Sequence, residues 1–223
     1  MDVAAIGCDF ACGTGRKWLR GPRGSGFLYA RRGATELADA RSGSLFGEPP
    51  MLDHVSGRWL SRHGYAPAAG ARRFEMWEAS EASRLGLAAA ARLTLSVTPA
   101  RIRALSAARA SLLRRVLRQR VAGLRLRDGS ELAEGRGLGA IVAFHVDGVD
   151  AHALGAALGA RRIGCSIAPS THSFREADWA RPPALRLSPS YFNTPEEVEA
   201  VAAAVAEEAI ALRNATSVAG PLR

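Results

Sequence analysis

The chain has 223 residues, 48% hydrophobic and 23% charged, with a net charge of +9 and three cysteines. This is ordinary globular composition, enough for one large domain or two small ones. An odd, low cysteine count argues against a disulfide framework and for a reducing cytoplasm, and neither a basic leader followed by an apolar run nor an apolar stretch near the ~18 residues of a membrane span is present.

In chain order, CDFAC (8–12) reads as a buried strand end and SGFLYAR (25–31) as a second strand. Residues 41–72 are rich in Gly, Pro, Ser and Arg and read as one long loop. Residues 79–95 read as a helix, and Pro99 interrupts it. A second helix restarts over 98–121, with Thr98 as N-cap and Pro99 at its first position. Its apolar stripe is Ile102, Leu105, Leu112, Val116 and Leu117, and its arginines are expected mainly on the opposite, solvated face. Strands are expected over 124–128, 139–146, 162–168 and 184–189, with a helix over 150–161. A last helix spans 194–213, where Thr194 and Glu197 have capping-box spacing and Pro195 follows the cap. Val198, Val201, Val205 and Leu212 mark its buried stripe, and a frayed tail is expected from Asn214. The part after about residue 98 is therefore an α/β layer structure.

The charge invites a polyanion. No basic cluster carries interleaved aromatics, so no nucleic-acid partner is expected; the arginines of 98–127 are where such binding would sit if it occurred. Cys8 and Cys12 lack the companions of a zinc set. Cys165 falls inside an expected strand and reads as a small buried hydrophobe. His54, His63 and His172 lie in loops, whereas His145 alternates inside a strand and reads as structural.

All but one of the thirty basic residues are arginine; the exception is Lys17, in GTGRKWLRGPRGSGFLY (13–29). Arginine cannot replace lysine where a neutral amine must attack a carbonyl, because guanidinium stays protonated. The surrounding glycines let backbone approach a ligand, and Thr14 and Arg16 suit phosphate oxygens. A Walker A loop is excluded: Arg16 precedes the lysine where glycine is needed, and Trp18 follows it.

The segment DVAAIGCDFACGTGRKWLRGPRGSGFLYARR resembles the Schiff-base lysine segment of class V aminotransferase-like enzymes, which use pyridoxal phosphate. The pattern is closest to the branch of isopenicillin N epimerase-like proteins and hercynylcysteine sulfoxide lyases. ARRFEMWEAS (71–80) resembles that branch's Arg-Phe-Glu-x-Trp-Glu signature, and LRLSPSYFNTPEEVEAV (185–201) resembles the family's C-terminal block. The resemblance implies that Lys17 is the catalytic, cofactor-bearing lysine, that Thr14 and Arg16 contact cofactor phosphate, and that Arg186 holds a substrate carboxylate. Asn193 and Thr194 are better explained as a turn and a helix cap, and Phe74, Trp77 and Trp59 as packing or subunit interface.

The implied fold is the α/β, fold-type-I architecture of pyridoxal-phosphate transferases. Residues 1–78 would be the C-terminal remnant of the large cofactor domain and 79–97 a connecting helix. Residues 98–213 would be a complete small domain and 214–223 a tail. The aspartate that pairs the cofactor's ring nitrogen would lie upstream, since Asp2 matches a later position on another element. Either a fragment or a chain working with a partner half is expected. The implied activity is that of an aminotransferase, C–S lyase or epimerase acting on a small amino acid, homodimeric in its full-length form. A cysteine desulfurase is disfavoured, because SIAPSTHSFREADW (166–179) offers no thiol. The alternative is a non-catalytic α/β module.

Overall fold

The computed structural model describes residues 2–35, 47–127, 139–172 and 180–218. Residues 41–46, Asp128, 173–179 and 219–223 of the sequence reading lie outside them. The chain divides into two compact units, Met1–Ser96 and Val97–Arg223.

The first unit opens with a short helix α1 (Val3–Ile6), capped by the Asp2 carboxylate, which accepts from the backbone N–H groups of Ala4 and Ala5. Strands β1 (Phe10–Thr14) and β2 (Gly26–Ala30) pair antiparallel, with Cys12 opposite Leu28 and Thr14 opposite Gly26. Neither strand is buried: Phe10 is 38% exposed and Phe27 50%. This corrects the expectation of a buried strand end at 8–12. The apolar alternation is present, but among the described residues nothing packs over either face deeply enough to bury it.

The stretch read as one loop contains a hairpin. β3 (Gly57–Ser61) and β4 (Gly64–Pro67) pair antiparallel around Arg62 and His63, and the Trp59 and Tyr65 rings meet edge to face at 6.0 Å. A 3₁₀ turn follows over Gly70–Phe74, then helix α2 (Glu81–Val97). Asp53 organises this region: its carboxylate accepts from the backbone N–H of Val55, Ser56 and, across the chain, Trp77. Among the described residues, Ala34 is the one buried hydrophobic residue of the unit.

The second unit holds the core. Helix α3 (Pro99–Arg120) begins at Thr98, whose Oγ1 accepts from the N–H of Arg101 at 3.4 Å. Then come β5 (Leu124–Leu126), β6 (Val142–Val146), helix α4 (Ala151–Ala160), β7 (Ser166–Ala168), β8 (Ala184–Leu187) and helix α5 (Pro195–Val218). The four strands form an antiparallel sheet in the order β5-β6-β8-β7. The core clusters Leu126, Val142, Phe144, Val146, Leu185 and Leu187 of the sheet with Leu113 and Leu117 of α3, Leu154 and Leu158 of α4, and Val198 and Val205 of α5. Full burial of such side chains stabilises by roughly 1.5–3 kcal/mol each. The sheet residues in this cluster alternate along their strands, so the intervening residues point to the opposite face.

Helix α5 starts with the expected capping box. Thr194 Oγ1 accepts from the N–H of Glu197 at 3.1 Å, and Glu197 Oε2 accepts from the N–H of Thr194 at 2.9 Å. The helix runs to Val218, past Asn214, where fraying was expected. Helix α3 also differs from expectation. Leu113 and Ala110 line its buried face, and Arg114 is itself buried, with Nη2 donating to the carbonyls of Gly139 and Ile141. An arginine that satisfies strand-end carbonyls is structural, whatever the face its charge suggested. Cys165 precedes β7 instead of lying inside a strand.

Candidate functional site

Three of the four sequence-derived site residues come together. Thr14 ends β1, and Arg16 and Lys17 sit in the connection to β2 (residues 15–25). The connection is pinned through Gly15, whose N–H donates to Ser25 O at 2.8 Å and whose carbonyl accepts from the N–H of Gly21 at 2.7 Å. A Cβ at Gly15 would meet Leu87 Cδ1 of α2 and Ser25 Oγ, each at 2.6 Å, and that hydroxyl is itself held by donating to Pro22 O. Only glycine lets the backbone lie this close to α2. The Lys17 carbonyl accepts from the N–H of Arg20, which closes a turn at Lys17 and takes φ of 57° at Arg20.

On this pinned backbone the side chains of Thr14, Arg16 and Lys17 are exposed. None of the three has a hydrogen bond or ion pair among the described residues. A hydroxyl, a guanidinium and a primary amine thus stand unspent on one short connection. The first two acidic groups of the chain are committed elsewhere: Asp2 caps α1, and Asp9 is ion-paired with Arg31 at the opposite end of the β1–β2 hairpin.

Arg186 lies in the second unit, on β8. It faces Ala143 of β6 on one side and Ser166 of β7 on the other, on the sheet face away from the core. Its Nε is buried and lacks a partner among the described residues, as does Nδ1 of His145. Buried polar atoms are nearly always hydrogen-bonded, so a pair of orphans on one sheet face calls for an explanation. His145 Nε2 lies 3.6 Å from Asp147 Oδ1. Burial pushes the His145 imidazole below its ordinary range, the Arg127 charge adds to this, Asp147 opposes it and Arg125 reinforces it. Along the chain His145 reads as structural and Arg127 as one of the arginines of 98–127; pairing register, invisible along one strand, sets His145 opposite Arg125 and Arg127 opposite Ala143, the residue that also faces Arg186.

The remaining candidates sort plainly. Cys165 is half-buried, with its thiol against Gly155 O at 3.7 Å, and burial pushes its ionisation up. Asn193 caps a turn: its Oδ1 accepts from the N–H of Ser190, and its Nδ2 donates to Glu197. His54 packs at a tilt against Trp77 with ring centroids 4.3 Å apart, and Phe74 packs edge-on against Phe10. Of the α3 arginines, Arg114 is buried and Arg109 donates to Asn193 O, so neither is free for phosphates. Among the described residues there is no cluster of three metal-ligating side chains, and no helix is long and apolar enough to cross a membrane.

Comparison with known proteins bears on these features together. The profile of the family described as "Aminotransferase class-V" matches residues 1–201. The chain is 35% identical over 213 residues to "Probable cysteine desulfurase 2" of Mycobacterium leprae, covering 92% of this chain and 46% of that protein. It is 30% identical to the isopenicillin N epimerase of Streptomyces clavuligerus, over 92% of this chain and 48% of the relative. A solved cysteine desulfurase from Thermococcus onnurineus NA1 has the same fold, with a TM-score of 0.79 at 23% identity, over 94% of this chain and 49% of that one. The chain spans about half the length of the relatives it matches.

Proposed function

The chain belongs to the class-V aminotransferase family, and on that premise we propose that it carries the lysine-bearing part of a pyridoxal-phosphate site together with a carboxylate-binding small domain, acting on an amino acid. The family is pyridoxal-phosphate-dependent, and its members are enzymes. In this reading residues 1–78 belong to the large cofactor domain, 79–97 connect, and 98–213 form the small domain; the other half of the fold completes the site.

The observation that carries the reading is the pinned connection after β1, with its unspent hydroxyl, guanidinium and amine. Their chemistry fits the cofactor. Lys17 Nζ would hold its aldehyde carbon, Thr14 Oγ1 would donate to a phosphate oxygen, and the Arg16 guanidinium would offset the phosphate charge. Bound there, the cofactor supplies an electron sink for a bond broken at the substrate's Cα. Once the substrate's amino group has displaced it from that carbon, the freed Lys17 Nζ would accept and return the Cα proton. Arg186 holds the substrate carboxylate through its planar fork. Proton movement at Cα is common to transamination, elimination and epimerisation. Persulfide chemistry on a thiol of the small-domain loop is disfavoured, because the one cysteine beside that loop, Cys165, is half-buried with its ionisation pushed up.

Incubation with pyridoxal phosphate, borohydride reduction and peptide mass mapping tests this. The expected result is a phosphopyridoxyl group on Lys17, weakened in R16A and absent in K17A. A non-catalytic α/β module would take up none at low cofactor concentration.

A further inference from the structure

The outer face of the small-domain sheet carries more positive charge than one carboxylate requires. Strand register arranges that face in rows. The N–H of Arg127, just past β5, donates to Ala143 O at 2.7 Å, extending the β5–β6 ladder by one residue. Arg127, Ala143, Arg186 and Ser166 therefore lie side by side across all four strands. The next row is Arg125, His145, Ala184 and Ala168.

Strands lie ~4.8 Å apart, so the Cα atoms of Arg127 and Arg186 are separated by about 9.6 Å, with only the methyl group of Ala143 between them. The charges do not cancel. Asp147 takes Arg125, with Arg125 Nε donating to its Oδ2 at 3.1 Å. Arg127 spends one donor on Pro182 O at 3.3 Å, and Arg186 Nε has no partner among the described residues. Among the described residues this face holds three guanidinium groups against one carboxylate, a surplus of two positive charges. His145 Nδ1, in the adjoining row, is a further buried polar atom with no partner among the described residues.

We propose that this face is a two-anion site: Arg186 takes the α-carboxylate, and Arg127, with His145 beside it, takes a second anionic group, so that the substrate class is amino acids with an acidic side chain. The assignment rests on the functional reading above and extends it from one carboxylate to two. Arg127 acts as a specificity-determining residue. Among the described residues the two surplus charges, Arg127 and Arg186, stand in one row and match a dianion, and a monoanion would leave one guanidinium without a counter-charge.

The test uses the whole chain without cofactor, at low salt, with glutarate and butyrate as probes and binding followed by NMR of the His145 ring and the arginine Nε–H signals. Glutarate is expected to bind at least fivefold more tightly than butyrate and to shift both His145 and Arg186. R127Q should abolish that preference while keeping butyrate binding, R127K should restore part of it, and R186Q should weaken both ligands. Equal affinity for the two probes, or a preference that survives R127Q, overturns the proposal. The outcome is separable from the cofactor reading. Lys17 labelling with no glutarate preference sinks this inference alone, and a glutarate preference without Lys17 labelling sinks only the cofactor assignment.

Discussion

At the residue scale, local donors set both chemistry and stability. The Asp53 carboxyl is lowered from its ordinary 3.8 to about 2 by the N–H of Trp77, with Ser56 and Val55 contributing next. A folded-state value below the unfolded one means that this carboxylate stabilises the fold fully above pH 3.8 and ceases to as pH falls through about 2. Acid titration followed by tryptophan fluorescence should show Trp77 released only in that low window, and D53N should show it released at neutral pH. Unchanged Trp77 emission in D53N would remove Asp53 as the tether. Thiol reactivity offers a second check. Cys12 is exposed, whereas Cys165 is half-buried with its ionisation pushed up by burial. Iodoacetamide at pH 7.5 should modify Cys12 first and Cys165 last. Early modification of Cys165 would reopen the persulfide chemistry disfavoured above.

At the element scale, the capping box of α5 is the clearest local determinant. T194A removes the acceptor for the Glu197 N–H and should cost about 1 kcal/mol in urea denaturation; a change near zero would mean that the helix start is held by packing alone. This element also shows what a linear reading can and cannot give. Caps, prolines and the 3.6-residue stripe are local, so α3, α4 and α5 were legible with their starts, as were β2 and β8. The β3–β4 hairpin was not, because Trp59 and Tyr65 sit among Arg, His and Gly that read as loop, and only cross-strand pairing reveals it. Burial of Arg114 was hidden for a related reason: the carbonyls it satisfies belong to residues 139 and 141, far along the chain. The same limit governs the site. The lone lysine and its family pattern point to Thr14, Arg16, Lys17 and Arg186, whereas Arg127 and His145 join the sheet face of Arg186 only through strand register.

At the scale of the whole molecule, the two units are built differently. Apart from Ala34, every buried hydrophobic residue among the described ones belongs to Val97–Arg223. The first unit leaves Phe10, Phe27, Leu28, Trp59 and Leu60 exposed. Two-stranded hairpins are marginal without a packed face. Hydrogen exchange should therefore be slow at Val142–Val146 and Ala184–Leu187 and fast throughout β1–β4, and equal protection in both units would show that the first has a core of its own. The central claim concerns Lys17, and because it is the sole lysine, site-specific uptake must be told apart from plain amine chemistry. The decisive measurement is the concentration dependence of borohydride-trapped pyridoxal phosphate at Lys17 and at the α-amine of Met1. The account predicts labelling of Lys17 that saturates with cofactor concentration, is competed by inorganic phosphate and is lost in T14A/R16A, while Met1 stays unlabelled. Labelling that rises linearly, equally at both amines and regardless of Thr14 and Arg16, would contradict it.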